Sequence, residues 1–101
     1  MTVVDKDGCN ILARLLAGHG VKTAILSPGS RNAPVVVALA RTREIETRVV
    51  IDERSAAFVA LGIAEITGEP VALVCTSGTA LLNYAPAVAE AYYKHLPLIV
   101  V

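Results

Sequence analysis

The sequence predicts an α/β fold with a mainly parallel sheet covered by helices on both faces. Three observations carry that prediction. Helical stripes alternate along the chain with short, continuous apolar runs, as buried parallel strands require. The connections between them are short and built from glycine, proline, serine and asparagine. Polar turns follow the apolar runs, where ligands gather in open parallel sheets, beyond the carboxyl ends of the strands.

Asn10 to Gly18 carries Ile11, Leu12, Leu15 and Leu16 at helical spacing and stops at Gly18-His19-Gly20. Val21 to Leu26 is a strand candidate, followed by the turn Ser27-Pro28-Gly29-Ser30. Asn32 is placed to cap a helix that enters through Ala33-Pro34 and runs to about Thr42, with Pro34 suited to a first turn. Arg48 to Ile51 reads as the second strand and Glu53 to Thr67 as the next helix, closed by Gly68. Val71 to Cys75 is the third strand, Thr76-Ser77-Gly78-Thr79 a turn, and Leu81 to Tyr93 a helix that Pro86 should kink or restart. Pro97 opens a fourth strand.

The 101 residues make one domain at most. An apolar fraction of 54% with 18% charged residues argues against disorder and predicts surplus apolar surface. Nine basic and nine acidic residues cancel, which supports neither a nucleic-acid groove nor an anionic-membrane face. Cys9 and Cys75 lack any CxxC spacing, and Cys75 falls in an apolar run as a small core residue, so no disulfide framework is expected. No run has the length of a membrane span or the order of a signal peptide, and a reducing cytoplasmic setting is the expectation. The chain reaches Pro97-Leu98-Ile99-Val100-Val101 without a polar tail, so it reads as the first part of a longer polypeptide.

Glu53 is the candidate for chemistry. It stands at a strand-to-helix turn, Val49-Val50-Ile51-Asp52-Glu53-Arg54, before the small-residue helix from Ser55. A carboxyl at the edge of a buried surface has its proton affinity raised by desolvation and can relay a proton. The alternative is structural: Asp52 caps the helix and Glu53 complements its dipole. Ser27 to Asn32 offers a hydroxyl, a guanidinium and backbone N–H groups before a helix, the parts of a carboxylate or phosphate clamp, or else a solvated proline–glycine turn. In Thr76 to Thr79 the hydroxyls could meet a ligand, or Ser77 or Thr79 could simply cap the helix. His19 and His95 have no partner at metal-ligand spacing, and no protein-supplied metal site is expected. No GxGxxG, GxxxxGKS or GxSxG pattern occurs. Ser55–Ile66 and Leu81–Tyr93 are apolar on most faces, which implies an extensive protein–protein interface.

Taken in order, PGSRNAP, DERSAAFVALGIA and TSGTALLNYAPAVAEAYY resemble the N-terminal, pyrimidine-binding domain of thiamine diphosphate enzymes, and the resemblance spans almost the whole of residues 1–101. It is strongest to the menaquinone-pathway members. The resemblance implies the pyrimidine-domain α/β fold, with Glu53 hydrogen-bonded to N1′ of the cofactor's aminopyrimidine. It implies that Thr76, Ser77 and Gly78 line the cofactor and that Ser30 and Arg31 hold a substrate carboxylate. It further implies thiamine diphosphate and Mg2+ as cofactors, 2-oxoglutarate and isochorismate as substrates, decarboxylation followed by carbon–carbon bond formation, and a homodimer or homotetramer. The family's GDG motif with its later asparagine, which holds the diphosphate and magnesium, does not occur in these residues. The chain by itself is therefore expected to hold half a site and to be inactive. Two other readings stay open: a pyrimidine-domain subunit of another thiamine diphosphate carboligase or decarboxylase, and a non-catalytic carboxylate-binding module.

Overall fold

The structure, a computed structural model, describes residues 7–101. Helix α1 (Asp7–Gly18) begins three residues before the predicted start. It buries Ala13 and Leu16 and leaves Ile11 and Leu15 outside. The turn that follows uses Gly20 at φ 90°, a backbone conformation that favours glycine. Strand β1 (Thr23–Leu26) leads through the Ser27–Asn32 turn to α2 (Ala33–Ala40), which has Pro34 in its first turn.

Strand β2 (Glu46–Val49) lies two residues earlier than predicted and is an exposed edge strand. Its apolar continuation, Val50-Ile51, is the exit into the next turn, and Ile51 is 82% exposed. Helix α3 (Glu53–Thr67) has the predicted bounds. Asp52 caps it, and Gly68 closes it in the left-handed conformation, donating its N–H to the Ala64 carbonyl. Strand β3 (Val71–Val74) is wholly buried.

The helical segment after β3 restarts, as expected at Pro86, and forms α4 (Thr79–Leu82) and α5 (Ala85–Lys94). Pro86 sits in the first turn of α5, where a missing N–H costs no intrahelical bond, so the chain restarts there. Strand β4 (Leu98–Val100) pairs with β3.

The four strands are parallel and ordered β2-β1-β3-β4. Side chains alternate across the sheet. Ala24, Leu26, Ala72 and Val74 face α1 and α2, in one core with Ala13, Leu16, Ala38 and Leu39. Ile25, Val71, Leu73 and Cys75 face the other way, against Ala56, Ala57, Ala60 and Ala64 of α3 and Ala87 of α5. Those alanines have no accessible surface, which lets α3 lie close on the sheet.

Leu26 is in register with both Val49 and Val74, so β1, β2 and β3 end level. The chain leaves β1 toward the α1–α2 face and β3 toward the α3–α5 face. The crevice between their carboxyl ends is thus the topological switch point of the sheet.

Candidate active site

Three turns meet at the level strand ends. Ser27, buried just past β1, ties them together. Its N–H donates to the Val74 carbonyl at 2.9 Å, and its hydroxyl donates to the Val50 carbonyl at 2.6 Å. Val50 returns its own N–H to the Leu26 carbonyl at 2.9 Å.

The first turn is held from within. Asn32 occupies the position before α2 but makes no side-chain cap. Its side chain folds back instead. The amide oxygen accepts from the Gly29 N–H at 2.7 Å and the amide nitrogen donates to the Ser27 carbonyl at 3.2 Å. Asparagine readily bonds backbone groups in this way, and the bonds compete with capping. The turn therefore has a fixed shape, and its crest presents Ser30 and Arg31 to solvent.

In the second turn the Asp52 carboxylate accepts from the Ser55 N–H at 2.9 Å and the Ser55 hydroxyl at 2.7 Å. These bonds, with the Ser55 hydroxyl contributing most, hold its carboxyl below the usual carboxylate range. The structural reading of this turn holds: Asp52 caps α3, and Glu53 stands in its first turn without taking part in the cap. Glu53 is half-buried in the first turn of α3 and has no hydrogen bond or ion pair among the described residues.

In the third turn, the Cys75 thiol donates to the Thr76 carbonyl at 3.0 Å. Thr76 is half-buried against Gly29, while Ser77 and Gly78 are exposed. Gly78 has φ 73° and ψ −130°, so the residue before α4 must be a glycine or accept strain. Neither Ser77 nor Thr79 caps α4.

Every residue singled out for a site (Ser30, Arg31, Glu53, Thr76, Ser77 and Gly78) therefore lies on one of three turns at one end of the sheet. Sequence reasoning passed over two residues beneath them, Ser27 and Tyr84. Ser27 carried no motif beyond its turn. Tyr84 was counted as part of an apolar helix, yet it is 1% exposed and its hydroxyl is buried. Nothing in the sequence set it apart from Tyr92 and Tyr93 of the same segment, which are exposed. His19 and His95 are exposed at helix ends, as expected.

A doubly wound sheet with a carboxylate, a guanidinium turn and a glycine-bent loop around its switch point defines a cofactor-binding α/β domain. The chain belongs to the thiamine pyrophosphate enzymes: residues 6–101 match the family "Thiamine pyrophosphate enzyme, N-terminal TPP binding domain". It is 54% identical over 97 residues to the 2-succinyl-5-enolpyruvyl-6-hydroxy-3-cyclohexene-1-carboxylate synthase of Porphyromonas gingivalis, an alignment covering 96% of this chain and 17% of that protein. Proteins of the same name from Desulfotalea psychrophila and Geobacillus kaustophilus are 57% and 56% identical, over 88% and 84% of this chain and 17% and 15% of theirs. The chain thus spans about a sixth of the length of these relatives.

The chemistry of these turns is compatible with the pyrimidine part of thiamine diphosphate (thiamine pyrophosphate). An aminopyrimidine needs one carboxyl at a ring nitrogen and close backbone at its edge. Among the described residues Glu53 has an uncommitted carboxyl, and Gly78 has no side chain to bar a close approach, so both would suit such a ring. Among the described residues no group of three His, Cys, Asp or Glu is placed to hold a metal ion, and no helix is long and apolar enough to cross a membrane.

Proposed function

We propose that this chain is the pyrimidine-binding part of a thiamine diphosphate-dependent synthase of menaquinone biosynthesis, working in the cytoplasm. The whole enzyme decarboxylates 2-oxoglutarate and joins the remaining four-carbon unit to isochorismate. The observation that carries the reading is Glu53, a half-buried carboxyl without a partner among the described residues, beside the switch point of the sheet. The shared identity with the synthases named above supports the choice among thiamine diphosphate enzymes.

When bound, thiamine diphosphate supplies a nucleophilic carbon and an electron sink. Glu53 holds and shares the proton at N1′ of its aminopyrimidine. Thr76, Ser77 and Gly78 form the wall beside that ring. Ser30 and Arg31 bind a substrate carboxylate, the guanidinium giving paired N–H donors. Magnesium and the diphosphate are held by residues outside this chain.

The whole enzyme is a homodimer or homotetramer. Phe58, Val59 and Ile66 on α3 and Leu81, Leu82, Val88 and Tyr92 on α4 and α5 expose apolar surface. A partner subunit covers this band and closes water out of the site.

The test is made on the reading frame that carries this chain. Carbon dioxide release from 2-oxoglutarate should require isochorismate, thiamine diphosphate and magnesium, and should fall at least about a hundredfold in Glu53→Gln. Turnover indifferent to Glu53→Gln or to the cofactor would sink the reading.

A further inference from the structure

Asn32 stands directly before α2, where an asparagine ordinarily caps the helix, yet its side chain gives the helix no bond. Both groups of the amide go to the preceding turn instead. The oxygen accepts from the Gly29 N–H and the nitrogen donates to the Ser27 carbonyl. Among the described residues these are the only hydrogen bonds that join the two ends of the Ser27–Asn32 turn. Asn32 is 6% exposed, so water does not readily take their place.

The Ser27 end is itself fixed. Its N–H and hydroxyl are bonded to the carbonyls of Val74 and Val50, and Gly29 lies close against Thr76. Asn32 thus ties the free side of the turn to a base already bonded to the segments on either side. Arg31 is the residue next to that tie, and it is exposed. A guanidinium pairs two N–H donors with one carboxylate only from a narrow range of positions. A backbone already held in place need not be ordered when the ligand arrives, and affinity gains accordingly.

We propose that Asn32 is a positioning residue: by holding the turn it sets Arg31 for a substrate carboxylate, without touching that substrate. The proposal rests on the reading of Arg31 given above. It separates two jobs that an asparagine can do at this place. A helix cap needs one acceptor, which aspartate supplies equally well. The turn needs an acceptor and a donor on one side chain, and an ionised aspartate has no donor.

The experiment uses the complete polypeptide carrying this chain. Asn32→Ala and Asn32→Asp are each made in the wild-type and Arg31→Ala backgrounds, with folding checked by circular dichroism. KM and kcat are measured for each carboxylated substrate, and the cofactor is titrated separately. In the wild-type background both changes should raise the KM of the substrate that Arg31→Ala affects, by about three- to tenfold. Both kcat and cofactor affinity should stay within about twofold of wild type. In the Arg31→Ala background neither change should raise that KM further. Asn32→Asp keeps the acceptor, so it carries the test where Asn32→Ala does not fold. A carboxylate that only repelled the substrate would raise KM in both backgrounds. A folded Asn32 variant with the wild-type KM, or an equal rise in both backgrounds, would overturn the proposal. So would a matching loss of cofactor affinity, which marks a general loosening of the site. Arg31→Ala with wild-type KM for both substrates would overturn the reading of Arg31 itself, and the proposal with it.

Discussion

Gly29 and Thr76 are in such close contact that a Cβ placed on Gly29 would stand 2.8 Å from the Thr76 Cγ2 methyl. The methyl belongs to a short, β-branched side chain that cannot swing away. Glycine is therefore needed at residue 29 for space, since no positive φ demands it there. Gly29→Ala should force the first and third turns apart and destabilise the protein by roughly 1–3 kcal/mol. Thr76→Ser removes the methyl and should restore most of the loss in the double variant. Urea denaturation of all four proteins checks this, and a double variant no better than Gly29→Ala would refute the steric account.

Arg31 stands exposed on a turn that Asn32 and Ser27 hold rigid. A bond from a charged donor to a carboxylate contributes about 1.5–3 kcal/mol, so Arg31→Ala should raise the KM for the carboxylated substrate about ten- to a hundredfold. Cofactor affinity should not change, since the resemblance assigns that duty to other turns. Steady-state kinetics with cofactor titration separates the two. A loss of cofactor affinity with substrate KM intact would reassign Arg31 to the cofactor.

Much of this arrangement was legible in the sequence, and the exceptions share a cause. Asp52 to Gly68 carried its own start and stop signals, and α3 has the predicted bounds. The convergence of the three polar turns followed from parallel-sheet topology alone. By contrast, β2 was placed two residues late, because Val49-Val50-Ile51 is more apolar than the strand itself. Edge position is a property of the sheet, and a local apolar pattern does not report it. Asn32 and the α4 cap were misjudged for a related reason. An asparagine side chain before a helix can bond forward or back, and here the Gly29 N–H, brought near by the turn, wins. Tyr84 was not legible as a buried residue because Ile25 and Leu73, in whose cluster it lies, are distant in sequence.

Asp52 contributes stability through ionised capping of α3. Its folded-state pKa is depressed, chiefly by the Ser55 hydroxyl, so the contribution is present above the ordinary carboxyl range and lost as pH falls through the folded value. Asp52→Ala should lower the urea midpoint at neutral pH, and the gap from wild type should close on acidification. Asp52→Asn keeps a good cap and should be close to neutral at pH 7. A gap that stays constant into strong acid would assign the loss to something other than the charge.

The apolar band on α3 to α5 makes a prediction about assembly. Phe58 on α3 is 44% exposed and Leu82 on α4 is 70% exposed. A charge placed in a desolvated interface is strongly unfavourable, whereas on a free surface it changes stability by less than about 0.5 kcal/mol. Phe58→Glu and Leu82→Glu should therefore shift the complete protein toward smaller species in sedimentation velocity, with folding intact by circular dichroism. Unchanged sedimentation in both variants would show that this face is not the subunit contact.

The pair Cys75 and Tyr84 should make the fold sensitive to alkali. Burial, the largest cause for each, pushes the Cys75 thiol up and raises the Tyr84 phenol well above its ordinary value, with the Cys75 thiol adding to the effect on Tyr84. The folded state thus keeps both protons where the unfolded chain has begun to release them, near about 8.5 for cysteine and about 10 for tyrosine. Between the unfolded and folded values the unfolded state binds fewer protons, so stability falls as pH rises. The contribution is intact below the unfolded values and is lost in two stages above them. Cys75→Ala should flatten the decline that starts near pH 8.5, and Tyr84→Phe only the part above about pH 10. Urea midpoints measured from neutral pH to about 11 resolve the two stages. If wild type and Tyr84→Phe decline with the same slope above pH 10, the phenol is ionising freely in the fold and the burial argument for Tyr84 fails.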